Sequence, residues 1–210
     1  MRVAVLGAGH VGSVVARLAA AAGFEVAIAA SGDPEEIALT IQVLAPGAEA
    51  RWATDAVAEA AIVVLAIPLD QFEGLDPELL AGKVVVDMMN YWPAVNGRLG
   101  SFEGVALGST EIVAQRLSRS RVVKTLNPLG YHQLDEESRP AASPDRRALA
   151  VAGDDSAAVE LVANLIEGIG FDPIRLGSLP AGRVLEPDGP VFGRPLSRAG
   201  FEEALGVMAA

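Results

Sequence analysis

The 210-residue sequence has no cysteine, which excludes a disulfide framework, a thiolate metal site and a cysteine nucleophile. Histidine is almost as scarce. His10 and His132 lie too far apart in the chain to suggest a metal cluster by spacing, so no metal site is expected. Basic charge is in short supply, 16 Lys and Arg against 27 Asp and Glu for a net charge of −11, and Lys83 and Lys124 are the two lysines. A surface of that sign repels nucleic-acid phosphate and anionic lipid, so neither is expected as a partner. No apolar stretch approaches the roughly 18 residues a membrane span needs. Met1–Leu6 lead straight into a glycine-interrupted segment with no basic leader, so the expectation is a cytoplasmic protein. With 51% hydrophobic and 20% charged residues, the chain can fold as one large domain, or as one domain with a small companion.

Short β-branched runs alternate with alanine-rich helical stretches, the sequence form of repeated βαβ units. Strands are predicted at Arg2–Leu6, Phe24–Ala29, Ala61–Ile67, Lys83–Met88, Arg121–Leu126, Ala148–Ala152 and Phe171–Leu176. The continuous apolar runs among them suit strands buried on both faces of a parallel sheet. Helices are predicted at Val11–Ala22, from Pro34 with Asp33 as cap, from a Ser109 cap to Leu117, at Asp154–Glu167 and at Ser197–Met208. Asp154 and Asp155 read as helix-capping residues. Asn127–Asp145 is polar and contains proline, and reads as an ordered but irregular loop. The pattern predicts an α/β doubly wound parallel sheet over residues 1–140, followed by a small C-terminal α/β domain over 141–210 that closes a cleft. The apolar tail and this small unit need burial, which a homodimer would provide.

Gly7-Ala8-Gly9-His10-Val11-Gly12 follows the first strand and opens the first helix. The first glycine permits a tight turn, the second lets a pyrophosphate approach the backbone, and the third lets helix and strand pack closely. The helix N-terminus then offers unpaired N–H groups to phosphate. A purely structural turn is the alternative, but the position between strand and helix points to a Rossmann-type dinucleotide site. An NAD site needs a carboxylate about 20 residues past the glycines to accept from the ribose 2′-OH. Here the second strand ends Ala29-Ala30-Ser31-Gly32, with no acid before Asp33. That leaves room for a 2′-phosphate at Ser31 and Gly32 and favours NADP(H). Asp33 reads as the helix cap rather than a ribose ligand.

In such a sheet ligands sit beyond the carboxyl ends of the strands. Ala66-Ile67-Pro68, Asn90-Tyr91-Trp92 and Asn127-Pro128 followed by Leu129-Gly130-Tyr131-His132 are therefore predicted to line one crevice over the nicotinamide. Pro68 offers an apolar wall for a flat ring. Asn90 and Asn127 can present amides to a carboxamide or carbonyl, or can equally be strand-end turn residues. Tyr91 and Trp92 offer stacking faces, or simple packing. His132 can act as a general acid helped by Tyr131, although a hydrogen-bonded surface histidine is the plainer reading. His10 can reach a phosphate, but its backbone N–H matters more than its ring. Lys124 invites a catalytic role, yet is expected to solvate its charge at a strand edge.

Several further segments carry a resemblance. They are Ser109-Thr110-Glu111-Ile112-Val113, Arg121-Val122-Val123-Lys124, Val151-Ala152-Gly153-Asp154-Asp155, Leu176-Gly177-Ser178-Leu179 and Arg183-Val184-Leu185-Glu186. Together with the glycine loop, Ser31 and Ala66–Pro68, they make nearly the whole chain resemble the NADP oxidoreductases dependent on coenzyme F420, a deazaflavin. The resemblance implies hydride exchange between NADP(H) and that small-molecule redox co-substrate, with both rings stacked in an interdomain cleft. It places the phosphates on Gly7–Gly12, the 2′-phosphate near Ser31, and the rings between Ala66–Pro68 and Asn127–Pro128. Where the family usually carries an arginine beside the serine, this chain has Gly32. The segments Asn90–Pro93 and Asn127–His132 also differ from the family pattern. Ring-to-ring transfer depends on proximity, orientation and water exclusion, so no catalytic acid or base is expected. Two alternatives stand beside it: an NADPH-dependent reductase of a flavin, imine or ketone using His132, and an NADP-sensing protein without turnover.

Overall fold

The computed structural model describes residues 1–209. Its frame is an eight-stranded sheet whose strands grow from the Val, Ile and Ala runs. They are β1 (Arg2–Leu6), β2 (Glu25–Ala29), β3 (Ala48–Ala50), β4 (Ile62–Leu65), β5 (Val84–Asp87), β6 (Arg121–Lys124), β7 (Ala148–Gly153) and β8 (Asp172–Arg175). The spatial order is β3-β2-β1-β4-β5-β6-β7-β8. All pairings are parallel except β6 with β7, which is antiparallel through Val123↔Gly153 and Lys124↔Ala152. The sheet thus runs unbroken from the first strand to the last. Val5 pairs with Ile28 on one side and Val64 on the other, so the strand order reverses at β1 and β4. A doubly wound sheet leaves its ligand crevice at such a reversal.

The helices are α1 (His10–Ala21), α2 (Pro34–Leu44), α3 (Ala53–Glu59), α4 (Pro93–Asn96), α5 (Ser109–Arg116), α6 (Tyr131–Glu137), α7 (Ser156–Gly168) and α8 (Arg198–Ala209). On one face of the sheet Val15 and Leu18 of α1, Ile41 of α2 and Val162 and Ile166 of α7 pack on Val5, Ile28, Val64 and Val123. On the other, Val57 of α3, Val113 of α5 and the 3-10 turn residues Leu69 and Phe72 cover Ala4, Val63 and Val85. Both faces of the central strands are buried, which explains why their sequence is continuously apolar rather than alternating. A third cluster joins Phe201 of α8, Leu185 and Val191 to Ala150 and Ile174 of β7 and β8. Among the described residues no helix is long and apolar enough to cross a membrane.

Asp33 caps α2 as its sequence position predicts, accepting from Glu35 N–H at 2.9 Å, with Pro34 in the first turn. Three local expectations need correction. The 127–145 stretch is not wholly irregular, because Tyr131–Glu137 forms α6, which lies against α1 and is tied to it by the Arg17–Asp135 ion pair. Ser109 does not cap α5. Gly108 takes that position and Glu111 bonds back to its N–H at 2.8 Å, which leaves the Ser109 hydroxyl free to bond elsewhere. Asp155 caps α7 through Ala158 N–H at 2.8 Å, but Asp154 instead accepts Leu179 N–H at 2.9 Å and holds the turn after β8.

Candidate functional site

The glycine turn is built by close approach. Gly7 has φ +114°, and a Cβ there would stand 2.2 Å from the carbonyl oxygen of Ala66. A Cβ on Gly12 would stand 1.9 Å from the oxygen of Gly7. Neither position tolerates a side chain, and together they press the start of α1 against the ends of β1 and β4. Gly9 is different, since a Cβ there would meet nothing within 4 Å. The first turn of α1 carries no acidic residue, and among the described residues no side chain bonds to its N-terminal N–H groups. An open face above Gly9 and a free helix N-terminus suit a diphosphate, so the residues present fit a dinucleotide. His10 is exposed, and its ring stacks on Tyr131 at 5.0 Å between centroids, with Tyr131 tilted against His132 at 3.9 Å. Sequence spacing gave no warning of this three-ring stack, because it depends on the unpredicted helix α6 meeting α1.

The ends of β5 and β6 meet as expected, but in a different chemical role. Asn90 Nδ2 donates to the backbone oxygen of Asn127 at 2.8 Å. Asn127 Nδ2 donates to Asn90 Oδ1 at 2.9 Å and to the Leu185 carbonyl at 2.5 Å. These amide donors are spent on holding strand ends and the 180–190 segment together, which favours the turn-residue alternative over a direct carboxamide contact. Asn127 Oδ1 is buried with no partner among the described residues, as is Thr125 Oγ1. Leu126, between them, has φ +66°, the one non-glycine residue with positive φ among those described. Such a backbone costs on the order of 1–3 kcal/mol, and it lies where β6 delivers Asn127 and the buried Pro128 to the cleft.

Lys124 is not solvated at a strand edge. The antiparallel β7 covers that edge, and Lys124 is completely buried. Its Nζ lies 3.5 Å from Asp87 Oδ2 and donates to the Met89 carbonyl at 2.7 Å. Asp87 also accepts from Met89 N–H at 2.9 Å and from the Thr110 hydroxyl. The group ties β5, β6 and the first turn of α5 into one unit directly beneath the strand ends.

Beyond β5 a cavity of about 400 Å³ opens between Tyr91, Pro93, Phe102, Leu107 and Ile112 on one side and residues 183–190 on the other. Tyr91 stacks on Phe102 at 5.4 Å, and Trp92 meets Phe192 edge-on at 5.9 Å. The 183–190 wall is fastened to the N-terminus of α5. Glu186 Oε1 accepts from Ser109 N–H at 2.5 Å and from its hydroxyl at 2.9 Å, while Arg183 Nε donates to Glu111 Oε2 at 2.5 Å. The Arg183 guanidinium holds the Glu111 carboxyl below the usual carboxylate range, against the opposing effect of burial and helped by the Gly108 N–H. Glu111 in turn pushes Arg183 up. His132 does not line this cavity, and no hydrogen bond to its side chain is present among the described residues. Ala66 and Ile67 are half-buried and Pro68 exposed at the end of β4, next to the glycine turn. The residues predicted for one crevice fall into two groups: the glycine turn with Ala66 beside it, and the Asn90–Asn127 clasp next in sequence to Tyr91, which lines the cavity.

Residues 2–91, from β1 through Tyr91, match the family model of NADP oxidoreductases, coenzyme F420-dependent. The structure of the hypothetical protein SMa0349 from Sinorhizobium meliloti superposes with a TM-score of 0.79 at 30% identity, covering 94% of this chain and 96% of that one. A proposed F420-dependent NADP-reductase from Arthrobacter sp. FB24 gives 0.71 at 28% identity over 100% of this chain and 92% of its own. The metalloreductase STEAP3 of Rattus norvegicus is 26% identical over 187 residues, and the chain spans 36% of that protein's length. Over residues 2–91 the chain is thus similar to the NADP oxidoreductases that depend on coenzyme F420, and its fold is that of a proposed reductase of this kind.

Proposed function

We propose that the chain passes hydride between NADP(H), seated on Gly7–Gly12, and the deazaflavin coenzyme F420, seated in the Tyr91 cavity. When bound, the nicotinamide supplies or accepts the hydride. The observation that carries the reading is the cavity itself, walled on one side by Tyr91, Phe102, Leu107 and Ile112 just past the carboxyl end of β5, faced by Arg183, Glu186 and Asp188, and with no histidine in its lining. Flat apolar walls orient a ring and exclude water, the two requirements of direct transfer between carriers. Within this reading, residues 1–140 hold the dinucleotide, and residues 141–209 contribute the 183–190 wall. Ser31 and Gly32 receive the adenosine ribose, while Ala66, Ile67, Pro68, Asn90, Asn127 and Pro128 border the rings. The Asn90–Asn127 pair acts through position, holding the Leu185 carbonyl and with it the far wall. Tyr91→Ala tests the assignment: the KM for the deazaflavin should rise about tenfold or more, with the Kd for the dinucleotide little changed. An unchanged KM contradicts it.

A second reading has one observation in its favour. The His10–Tyr131–His132 stack places His132 two rings from the glycine turn, where it can supply a proton to a carbonyl or imine acceptor. His132→Gln would then cost about 10²-fold or more in turnover, whereas transfer to the deazaflavin should slow less than twofold.

A further inference from the structure

The 183–190 wall of the cavity is a closely folded turn. Pro187 and Pro190 restrict its backbone. Gly189 N–H donates to the Glu186 carbonyl at 2.7 Å, and a Cβ on Gly189 would stand 2.2 Å from the carbonyl oxygen of Val184. The root of the turn is close as well, since a Cβ on Gly182 would stand 3.1 Å from the Ala152 Cβ and 3.2 Å from that of Lys124. The Leu185 side chain is buried with Ala150 and Ile174 of β7 and β8, and its carbonyl accepts from Asn127. A turn folded this closely keeps its shape, so its side-chain ties decide how far it stands from the opposite wall. On the α5 side those ties meet one helix N-terminus. Glu111, within α5, accepts from Gly108 N–H. The next N–H, that of Ser109, donates across the cavity to Glu186 Oε1 at 2.5 Å, together with the Ser109 hydroxyl at 2.9 Å. The absence of a side chain at Gly108 makes room for this contact, since a Cβ there would stand 2.9 Å from both Glu186 Oε1 and Arg183 Cγ.

A helix begins with N–H groups that need acceptors, and one is ordinarily supplied by the residue just before it. In α5 an acceptor comes from 77 residues along the chain. It is a carboxylate, which the positive end of a helix favours and which makes stronger bonds than a neutral oxygen. The far wall of the cavity is therefore docked by a helix cap. We propose that Glu186 is a positioning residue. By capping α5 it sets the separation between the 183–190 wall and the wall of Tyr91, Phe102 and Ile112, and so the width of the slot that receives the ring. It acts through Ser109 and the turn that carries it, not on the reacting atoms. The proposal rests on the reading that this cavity seats the deazaflavin, while the cap itself is open to test without any co-substrate.

The test compares Glu186→Ala, Glu186→Gln and Ser109→Ala with the unaltered full chain. Amide hydrogen exchange is followed on the free protein, and steady-state kinetics with NADPH and coenzyme F420. Exchange on the free protein is blind to any direct contact between Glu186 and a bound ring. Glu186→Ala should speed exchange about tenfold at residues 109–112 and 183–190, the effect of a lost helix cap, and leave residues 2–16 unchanged. The KM for the deazaflavin should rise by a similar factor, with the Kd for NADPH changed less than about twofold because that site shares no partner with the cap. Glu186→Gln keeps an oxygen acceptor and should recover most of both effects. Ser109→Ala removes one of the two bonds and should show the same pattern at smaller size, which keeps the test decisive if Glu186→Ala does not fold. Unchanged exchange in either segment, an equal loss of NADPH affinity, or a Glu186→Gln as damaging as Glu186→Ala overturns the positioning role. Exchange as expected, with no deazaflavin reduced by the unaltered chain, supports the cap and overturns the deazaflavin as acceptor.

Discussion

Lys124 and Asp87 face each other across β5 and β6, with Nζ 3.5 Å from Oδ2 and both side chains about 1% exposed. Desolvating two charges is costly, and their attraction offsets that cost only when the remaining hydrogen-bond capacity is used. Here it is used, by Met89 on both sides and by Thr110. The pair thereby fixes the chain just before Asn90 and Tyr91.

Removing one partner leaves the other charge buried and uncompensated. Lys124→Met and Asp87→Asn should each cost about 3–5 kcal/mol in urea unfolding. Lys124→Met combined with Asp87→Leu should recover part of this, the rest remaining lost because Met89 N–H and the Thr110 hydroxyl lose their acceptor. A single-variant loss under about 1 kcal/mol would show that the pair is not buried as described.

The two glycines of the turn should separate fold from binding. Gly12→Ala puts a methyl group 1.9 Å from the Gly7 oxygen, so it should destabilise the protein by about 1–3 kcal/mol or more through overpacking. Gly9→Ala meets nothing within 4 Å and should leave the unfolding midpoint nearly unchanged, while weakening NADPH binding about tenfold or more. Denaturation and nucleotide titration on the same two variants check both halves.

Much of this arrangement was legible from residue pattern. Val and Ile runs located β1, β4, β5 and β6 to within a residue or two, and Asp33-Pro34 located the start of α2. β3 escaped notice because Ala48-Glu49-Ala50 has no β-branched residue and is held by pairing with β2. The helix α6 was hidden in a polar stretch, since its stability comes from packing against α1 rather than from an apolar repeat. At the site, Gly7 and Gly12 announced themselves by spacing. Lys124 and the Glu186–Ser109 bond did not, because each depends on a partner brought in by the tertiary fold. A charged side chain in a strand reads as solvated until its covering strand, here β7, is known.

Acid should loosen the wall of the cavity. The Glu111 carboxyl lies below its ordinary range in the folded chain because of Arg183, and Glu25 is lowered by Arg2 and Glu160 by Arg175. A carboxylate with a depressed folded pKa contributes stability above its unfolded value of about 4.3. That contribution is lost as pH falls through the folded value. Stability should therefore be level from pH 7 to about 5 with respect to these groups and decline below about 4.3. Glu111→Gln should show a shallower decline than the wild type in denaturation series between pH 5 and 3, and an identical decline would remove Glu111 from the account.

The central claim is hydride exchange between a nicotinamide dinucleotide and a deazaflavin, and the most direct measurement is spectrophotometric. Purified protein is mixed with coenzyme F420 and NADPH, and the deazaflavin absorbance band is followed, with NADH in a parallel cuvette. The account predicts enzyme-dependent bleaching with NADPH and much less with NADH. Saturable NADPH binding with no bleaching of the deazaflavin from either nucleotide would contradict it, and would turn attention to His132 and another acceptor.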